Sequence, residues 1–205
     1  GQLGLKTAIV EKDSRFGGTC LLRGCIPTKS MLKSAELADQ ARKASDFGVN
    51  LGDVSVDLKA VLKRKNKVVQ ANAGGVAFLL KKNKVQVFSG FGSLDGPGKV
   101  KITADDGGTQ TIQTRNVVLA TGSVPRTLPF IEVDGEAVLT SDELLDLDEM
   151  PKHLIVLGAG AVGVEFASVF KSFGADVTVV ELADRLVPVE DAEVSKEFEK
   201  IFTRR

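Results

Sequence analysis

One stretch constrains the fold more than any other. Residues 153–181 read HLIVLGAGAVGVEFASVFKSFGADVTVVE: an apolar strand, a glycine turn, a helix and a second strand. Gly158, Gly160 and Gly163 have the spacing G-x-G-x-x-G, which permits a tight turn, close approach of the backbone to a pyrophosphate and close packing of helix on strand. Glu181 ends the second strand, where a carboxylate accepts hydrogen bonds from ribose hydroxyls and repels a 2′-phosphate. The unit predicts dinucleotide binding with NAD favoured over NADP; a glycine-rich turn without a ligand is the alternative.

Composition limits the classes of partner. The chain has 205 residues and a formal net charge of zero, so no basic stripe indicates nucleic-acid binding. Its longest apolar runs fall short of the roughly 20 residues of a membrane helix. The chain has 2 cysteines, too few for the disulfide scaffold of a secreted protein, which favours a reducing compartment. We therefore expect no nucleic-acid partner, no membrane partner and a cytoplasmic location.

Hydrophobic periodicity predicts the remaining elements. Apolar residues at steps of three and four predict helices over 28–43 and 56–82. Short apolar runs bounded by turn residues predict strands at 7–11, 85–88, 99–102, 109–113 and 117–120. The strands at 85–88, 99–102 and 109–113 are separated by Gly- and Asp-rich turns and are expected to form a small antiparallel layer. Ser141 or Asp142 is expected to cap a short helix that begins there.

Both cysteines lie in the segment GGTCLLRGCIPTK, residues 17–29. A metal site, two idle thiols and a reversible disulfide are the three interpretations. Zinc needs about four ligands, and the only histidine, His153, begins a distant strand. On an ideal helix the Cα atoms of Cys20 and Cys25 would lie more than about 7 Å apart, so a disulfide requires a distorted turn. Arg23 and Lys29 are local cations that could stabilise a thiolate. The residues that would permit such a turn are Gly17, Gly18, Gly24 and Pro27.

The cysteine segment resembles the active-site signature of the flavin disulfide reductases. Within that family, CIPTK, with Met31 and Leu32 shortly after it, is most similar to the dihydrolipoamide dehydrogenase branch. The resemblance extends over essentially the whole chain, through AIVEKD, VVLATGSVPRTLP, SDELLDL and LIVLGAGAVGVEFASVF. Where many members read Asn-Val-Gly before the second cysteine, this chain has Leu22-Arg23-Gly24. That departure leaves the class unchanged and alters the expected charge near the disulfide.

The resemblance implies roles for four residues in catalysis. Cys20 is implied to be the interchange thiol that attacks the dithiolane substrate. Cys25 is implied to be the thiolate nearest the flavin. Lys29 is implied to lie near flavin N5, paired with Glu165 of the helix that follows Gly163.

The resemblance also implies two cofactors, FAD and NAD. Glu11 is implied to bind the adenosine ribose of FAD, as a carboxylate at the tip of a strand. Gly18 and Thr19 are implied to line the FAD site, and Thr121 and Gly122 to contact the flavin nucleotide. Gly158, Gly160, Gly163 and Glu181 are implied to bind NAD.

The fold class that the resemblance implies is α/β. It has two Rossmann-like domains binding FAD and NAD(P), both incomplete, with the small antiparallel layer in the first. Residues 1–145 are expected to be a partial FAD-binding domain, and residues 146–205 the first part of an NAD-binding domain. The family's first glycine turn is expected upstream of residue 1, and its last FAD segment and dimer-interface domain downstream of residue 205. The chain by itself is therefore expected to bind FAD weakly and to be inactive.

The full-length parent is implied to be a homodimeric flavoprotein that passes electrons from dihydrolipoamide to NAD. Its partner would be the lipoyl domain of an acyltransferase subunit of 2-oxo acid dehydrogenase complexes. A eukaryotic parent would lie in the mitochondrial matrix. A related mercuric or glutathione reductase and a non-catalytic nucleotide-binding module are the alternatives.

Overall fold

A computed structural model describes residues 1–204 as an α/β protein with three small sheets. The strands are β1 Ala8–Glu11, β2 Gln86–Ser89, β3 Phe91–Leu94, β4 Lys99–Thr103, β5 Thr109–Gln113, β6 His153–Leu157 and β7 Asp176–Val180. The helices are α1 Gly18–Arg23, α2 Cys25–Arg42, α3 Leu58–Lys82, α4 Ser141–Leu144, α5 Ala161–Phe173 and α6 Ala192–Phe202, with a 3-10 turn at Ala44–Phe47. The predicted α/β class and the antiparallel layer are confirmed. Arg205, the last residue of the second expected domain, lies outside the described residues.

The antiparallel layer contains a different strand from the one predicted. Strand β2 pairs in parallel with β1, from Ala8 opposite Gln86 to Glu11 opposite Ser89. The layer consists of β3, β4 and β5 instead. Between β2 and β3 the chain turns at Gly90, whose φ of +138° is a conformation that glycine adopts readily. Strand β3 was not predicted because its sequence, FGSL, lacks the alternation of apolar and polar residues that is typical of a half-buried strand.

The strand predicted at 117–120 is absent from the described chain, and this prediction was wrong. The segment is irregular, and the side chain of Val118 is 87% exposed. An apolar run becomes a strand only where a neighbouring strand accepts its backbone hydrogen bonds. The described β1–β2 sheet has two strands and does not include this segment.

The short helix α4 is capped by Thr140, not by Ser141 or Asp142 as predicted. The Thr140 hydroxyl accepts a hydrogen bond from the Asp142 N–H at 3.2 Å. In return, the Glu143 carboxylate accepts one from the Thr140 N–H at 2.7 Å. This reciprocal arrangement is a capping box, and its pattern T-x-x-E was present in the sequence.

One hydrophobic core joins the helix that follows the cysteines to the helix that follows the glycine turn. Helices α2 and α3 pack against α5 and the end of α4. The buried members are Met31, Ala35, Leu58, Leu62, Leu144, Leu145, Phe166, Val169, Phe170, Phe173 and Ala175. The core therefore contains side chains from both sides of residue 145. Within residues 1–204, no helix combines the length and apolar composition needed to cross a membrane.

Polar contacts reinforce the seam between α2 and α5. The Arg42 guanidinium donates to the Ser172 carbonyl at 2.6 Å. The Ser172 hydroxyl donates to the Asp39 carboxylate at 2.7 Å. Separately, the buried Lys65 on α3 donates to the Leu145 carbonyl at 2.6 Å. These contacts fix the C-terminal ends of α2 and α5 against each other and hold the chain just after α4.

Candidate functional site

The cysteine segment is interrupted at Gly24, one of the residues expected to permit the distorted turn that a disulfide would require. Helix α1 ends at Arg23 and α2 begins at Cys25, three residues before the predicted start. Gly24 lies between them at φ −134° and ψ −113°, and a Cβ there would stand 2.9 Å from the Thr19 carbonyl oxygen. This break leaves Cys20 and Cys25 close enough that the Cys25 side chain has the largest influence on the pKa of Cys20. Both are exposed free thiols in the structure.

The environment of Cys20 favours its protonated form. The hydrogen bond to the Cys25 side chain raises the pKa of Cys20 most, and desolvation and negative charge on Cys25 raise it further. The Cys25 backbone and the positive charge of Lys29 oppose this rise. A thiolate is the reactive form of cysteine, so the raised pKa favours the less reactive, protonated form of Cys20.

Lys29 lies one helical turn after Cys25 and forms an ion pair with Glu165 on α5. The Lys29 Nζ lies 2.7 Å from Glu165 Oε1 and 3.0 Å from Oε2. The side chain of Glu165 is 27% exposed and that of Lys29 is 59% exposed. The pair joins the cysteine helix to the helix of the glycine turn, across 136 residues of sequence.

Arg23 interacts electrostatically with the carboxylates of Asp13 and Asp142. Its guanidinium forms an ion pair with Asp13 in the loop after β1. It also acts on Asp142, whose pKa is raised by desolvation while the charge of Arg23 lowers it. Lys29 is thus the cation that acts on Cys20. Sequence reasoning missed the Asp13 contact because no local spacing connects the two residues.

Thr19 and Gly122, both predicted to be near FAD, lie together. The Thr19 hydroxyl accepts a hydrogen bond from the Ser123 N–H at 3.1 Å and donates one to the Ser123 carbonyl at 3.0 Å. Gly122 has a φ of +76°, and a Cβ there would come within 3.0 Å of that hydroxyl. Thr121 is the preceding residue of the same irregular segment. The contact of Ser123 with Thr19 was not predicted.

Glu11 and Gly18 lie at the beginning of the same region. Glu11 is the last residue of β1, and its carboxylate accepts a hydrogen bond from the Asp13 N–H at 2.9 Å. Gly18 begins α1 with a φ of +60°, and no described atom lies within 4 Å of the position of a Cβ. The open backbone at Gly18 leaves room for a ligand.

The glycine turn has the geometry that its spacing predicts. Gly158 has a φ of +103°, which favours glycine. A Cβ on Gly163 would lie 2.0 Å from the Gly158 carbonyl oxygen, so only glycine fits where α5 meets the turn. Around Gly160, by contrast, no described atom lies within 4 Å of a Cβ. Among residues 1–204, no side chain caps the N-terminus of α5. Its first N–H groups therefore remain available to an anion.

Glu181 folds back onto this turn. Its carboxylate accepts hydrogen bonds from the Ala159 N–H at 2.6 Å and from the Ala183 N–H at 2.8 Å. The bond from Ala183, followed by that from Ala159, lowers the pKa of Glu181 below its ordinary range. A carboxylate held negative beside the turn is suited to ribose hydroxyls and opposed to a phosphate.

His153 lies apart from these groups, at the start of β6. Its Nε2 is 3.1 Å from the Asp176 carboxylate of β7, and its side chain is 78% exposed. Within the part of the chain that the structure describes, no cluster of three or more His, Cys, Asp or Glu side chains could hold a metal ion.

Comparison with known proteins gives a consistent result. Residues 1–205 match the family model described as pyridine nucleotide-disulphide oxidoreductase. The chain is 46% identical to dihydrolipoyl dehydrogenase of Bacillus subtilis, a match that covers 100% of the chain and 44% of the relative. It is 40% identical to leghemoglobin reductase of Vigna unguiculata, over 97% of the chain and 38% of the relative.

Solved structures of the same kind match the fold. LpdA of Mycobacterium tuberculosis matches with a TM-score of 0.86 at 34% identity, over 97% of this chain and 44% of that one. The HOCl-induced flavoprotein disulfide reductase RclA of Escherichia coli matches with a TM-score of 0.81 at 28% identity, over 99% and 42%. The chain spans less than half the length of these relatives. Its sequence and fold together show that it belongs to the pyridine nucleotide-disulphide oxidoreductase family.

Proposed function

We propose that this chain supplies the redox disulfide and the dinucleotide turn of a dihydrolipoamide dehydrogenase, which oxidises protein-bound dihydrolipoamide and reduces NAD. The observation that carries the proposal is the helix break at Gly24, between Cys20 and Cys25, beside the ion pair of Lys29 and Glu165. That ion pair connects the cysteine helix to α5. The names of relatives such as dihydrolipoyl dehydrogenase support the choice of substrate.

The two cysteines would exchange with the substrate as a disulfide. One sulfur of dihydrolipoamide bonds to Cys20 and displaces Cys25 as a thiolate; the second substrate sulfur then displaces Cys20. Lipoamide leaves, and both cysteines are reduced. The raised pKa of Cys20 supports this division of roles, because it favours protonation of the Cys20 thiol when the substrate leaves. The positive charge of Lys29 lies on the side of α2 that faces Glu165.

The residues near β1 fit FAD. Glu11 would bind the adenosine ribose, and Gly18 and Thr19 would line the site. Thr121 and Gly122 would contact the flavin nucleotide, where a Cβ on Gly122 would lie 3.0 Å from the Thr19 hydroxyl. Bound FAD would supply a two-electron relay between the cysteine pair and NAD.

The residues of the glycine turn fit NAD. Gly158 and Gly163 shape the turn, and Gly160 leaves its backbone open toward a pyrophosphate. Glu181 would accept hydrogen bonds from the ribose hydroxyls, which favours NAD over NADP.

The expected organisation extends this proposal to the whole protein. Residues 1–145 would belong to the FAD-binding domain and residues 146–205 to the NAD-binding domain of a homodimer. Its partner would be the lipoyl domain of an acyltransferase subunit in 2-oxo acid dehydrogenase complexes. The location would be the cytoplasm, or the mitochondrial matrix as in the relative from Dictyostelium discoideum that is named mitochondrial.

A substrate comparison with the full-length native protein that contains this chain tests the proposal. NAD reduction is followed with dihydrolipoamide, and NADH or NADPH oxidation with glutathione disulfide and with mercuric ion. We expect rapid turnover only with dihydrolipoamide and NAD, and its loss in Cys20→Ser and in Cys25→Ser. Turnover with glutathione disulfide or mercuric ion would assign the chain to another branch. Nucleotide binding without any turnover would make it a non-catalytic module.

A further inference from the structure

The loop after β7 holds the glycine turn in place. Residues 182–191, here called the strap, run from Glu181 to the start of α6. The N–H of Val187 donates a hydrogen bond of 2.9 Å to the carbonyl of Ala159, the residue between the first two glycines of the turn. Both residues are buried, Ala159 completely. The strap therefore contacts the turn through its backbone. The spacing of side chains in the sequence does not predict such a contact.

Val187 has an unusual backbone conformation. Its φ is +43°, in the left-handed region that β-branched residues rarely adopt. Such a conformation persists only where the surrounding contacts fix it. Two donors reach the Val187 carbonyl: the Ser195 hydroxyl at 3.1 Å and the Glu190 N–H at 2.9 Å.

The Arg185 side chain forms hydrogen bonds within the strap. Its guanidinium donates to the carbonyl of Pro188 at 2.9 Å and to that of Glu190 at 3.2 Å. Ser195, on the first turn of α6, has no exposed surface. The proposed NAD site does not use this buried hydroxyl, which connects α6 to the strap.

Ala159 is consequently held from both sides. Its N–H donates to Glu181 at 2.6 Å, and its carbonyl accepts from Val187 at 2.9 Å. We propose that Ser195 and Val187 are positioning residues for dinucleotide binding: hydrogen bonds from the Ser195 hydroxyl to Val187 and from Val187 to Ala159 preset the turn for a pyrophosphate. The inference rests on the NAD site proposed above. Donors that are already oriented need not be ordered when the ligand binds, which strengthens binding.

The test measures binding of ADP-ribose, which carries the pyrophosphate but cannot donate a hydride. Affinity of the native protein and of Ser195→Ala is measured by isothermal titration calorimetry, well below either melting temperature. Loss of one buried hydrogen bond should weaken ADP-ribose binding about fivefold. Hydrogen exchange should become faster at the amides of residues 159–163. The preference for NAD over NADP should be unchanged, because Glu181 remains in place.

Thr203→Val is a control for removing a hydroxyl from the same helix at a distance from the strap. The Thr203 hydroxyl also donates to a backbone carbonyl, that of Glu199 at 2.8 Å, at the other end of the same helix. This variant should bind ADP-ribose as the native protein does. Equal affinity in the native protein and Ser195→Ala, with unchanged exchange, would overturn the inference, as would equal losses in both variants. If the native protein does not bind ADP-ribose, the proposed NAD site is wrong and the inference falls with it.

Discussion

One added methyl group should have different effects at two glycines of the same turn: it should lower stability at Gly163 and ligand affinity at Gly160. In Gly163→Ala, the new Cβ would lie 2.0 Å from the Gly158 carbonyl oxygen, whereas ordinary contact begins at 3.4 Å. The turn and α5 must separate by the difference, about 1.4 Å. Overpacking typically costs about 1–3 kcal/mol. Because a backbone carbonyl cannot rotate away as a side chain does, we expect a loss near 3 kcal/mol in the free energy of unfolding.

Gly160→Ala should leave stability nearly unchanged. No described atom lies within 4 Å of the new Cβ, and the φ of −71° suits alanine. The smaller entropy of the unfolded chain favours the variant slightly, and alanine is a poorer N-cap residue, so the two effects offset each other. The methyl group would nevertheless stand on the open side of the turn, where a pyrophosphate must approach. We expect ADP-ribose affinity to fall at least about tenfold, or 1.4 kcal/mol.

Thermal melting followed by circular dichroism, together with calorimetric titration of ADP-ribose, separates the two effects. For a chain of this size, a loss of 3 kcal/mol corresponds to a fall of about 6–12 °C in melting temperature. Gly163→Ala should show that fall, and Gly160→Ala should melt within about 2 °C of the native protein. A stable Gly163→Ala would refute the packing argument. A Gly160→Ala that binds ADP-ribose normally would refute the placement of the pyrophosphate.

Other predictions concern the carboxylate and the thiols. Glu181→Gln should reduce the preference for NAD over NADP in paired titrations; a native protein that binds NADP as tightly as NAD would contradict the role given to Glu181. Because hydrogen bonds lower the pKa of Glu181, their stabilising effect should persist into mildly acidic solution and disappear as the pH falls through that lowered pKa. Thiol counting after oxidation should show two new thiols per chain on adding dithiothreitol, and finding Cys20 and Cys25 already free would exclude the reversible disulfide. In the reduced protein, Lys29→Met should slow alkylation of Cys20 about twofold at pH 8, because a cation that lowers its pKa is lost. Glu165→Gln, which leaves that cation unpaired, should not slow it.

The sequence predicted the parts of the site that depend on local spacing. The glycine turn was predictable because each glycine has a separate steric task within one strand–turn–helix unit. A distorted turn between the cysteines was expected for a disulfide, because a regular helix holds the two Cα atoms too far apart, and Gly24 was one of its candidate residues. The pairing of Lys29 with Glu165 came only from the family resemblance, since 136 residues separate them.

Features that depend on distant contacts could not be predicted in this way. Strand β3 owes its existence to pairing with β4, not to its own apolar pattern. The run at 117–120 has strand composition but lacks a pairing partner in the described chain. The Val187 contact with Ala159 joins two backbones, which no side-chain pattern reports. The Thr140 cap is different, because its T-x-x-E signal was local and was overlooked.

The seam between α2 and α5 limits how this protein can exchange parts with its relatives. Its two ends are held by Lys29 with Glu165 and by Arg42 with Ser172. A crossover at residue 145 would combine one parent's α2 with the other's α5 and would break these contacts wherever the parents differ. Chimeras joined there should succeed only when the facing residues of both helices come from the same parent. The parts of the chain before and after residue 145 can therefore be recombined only as a co-adapted pair.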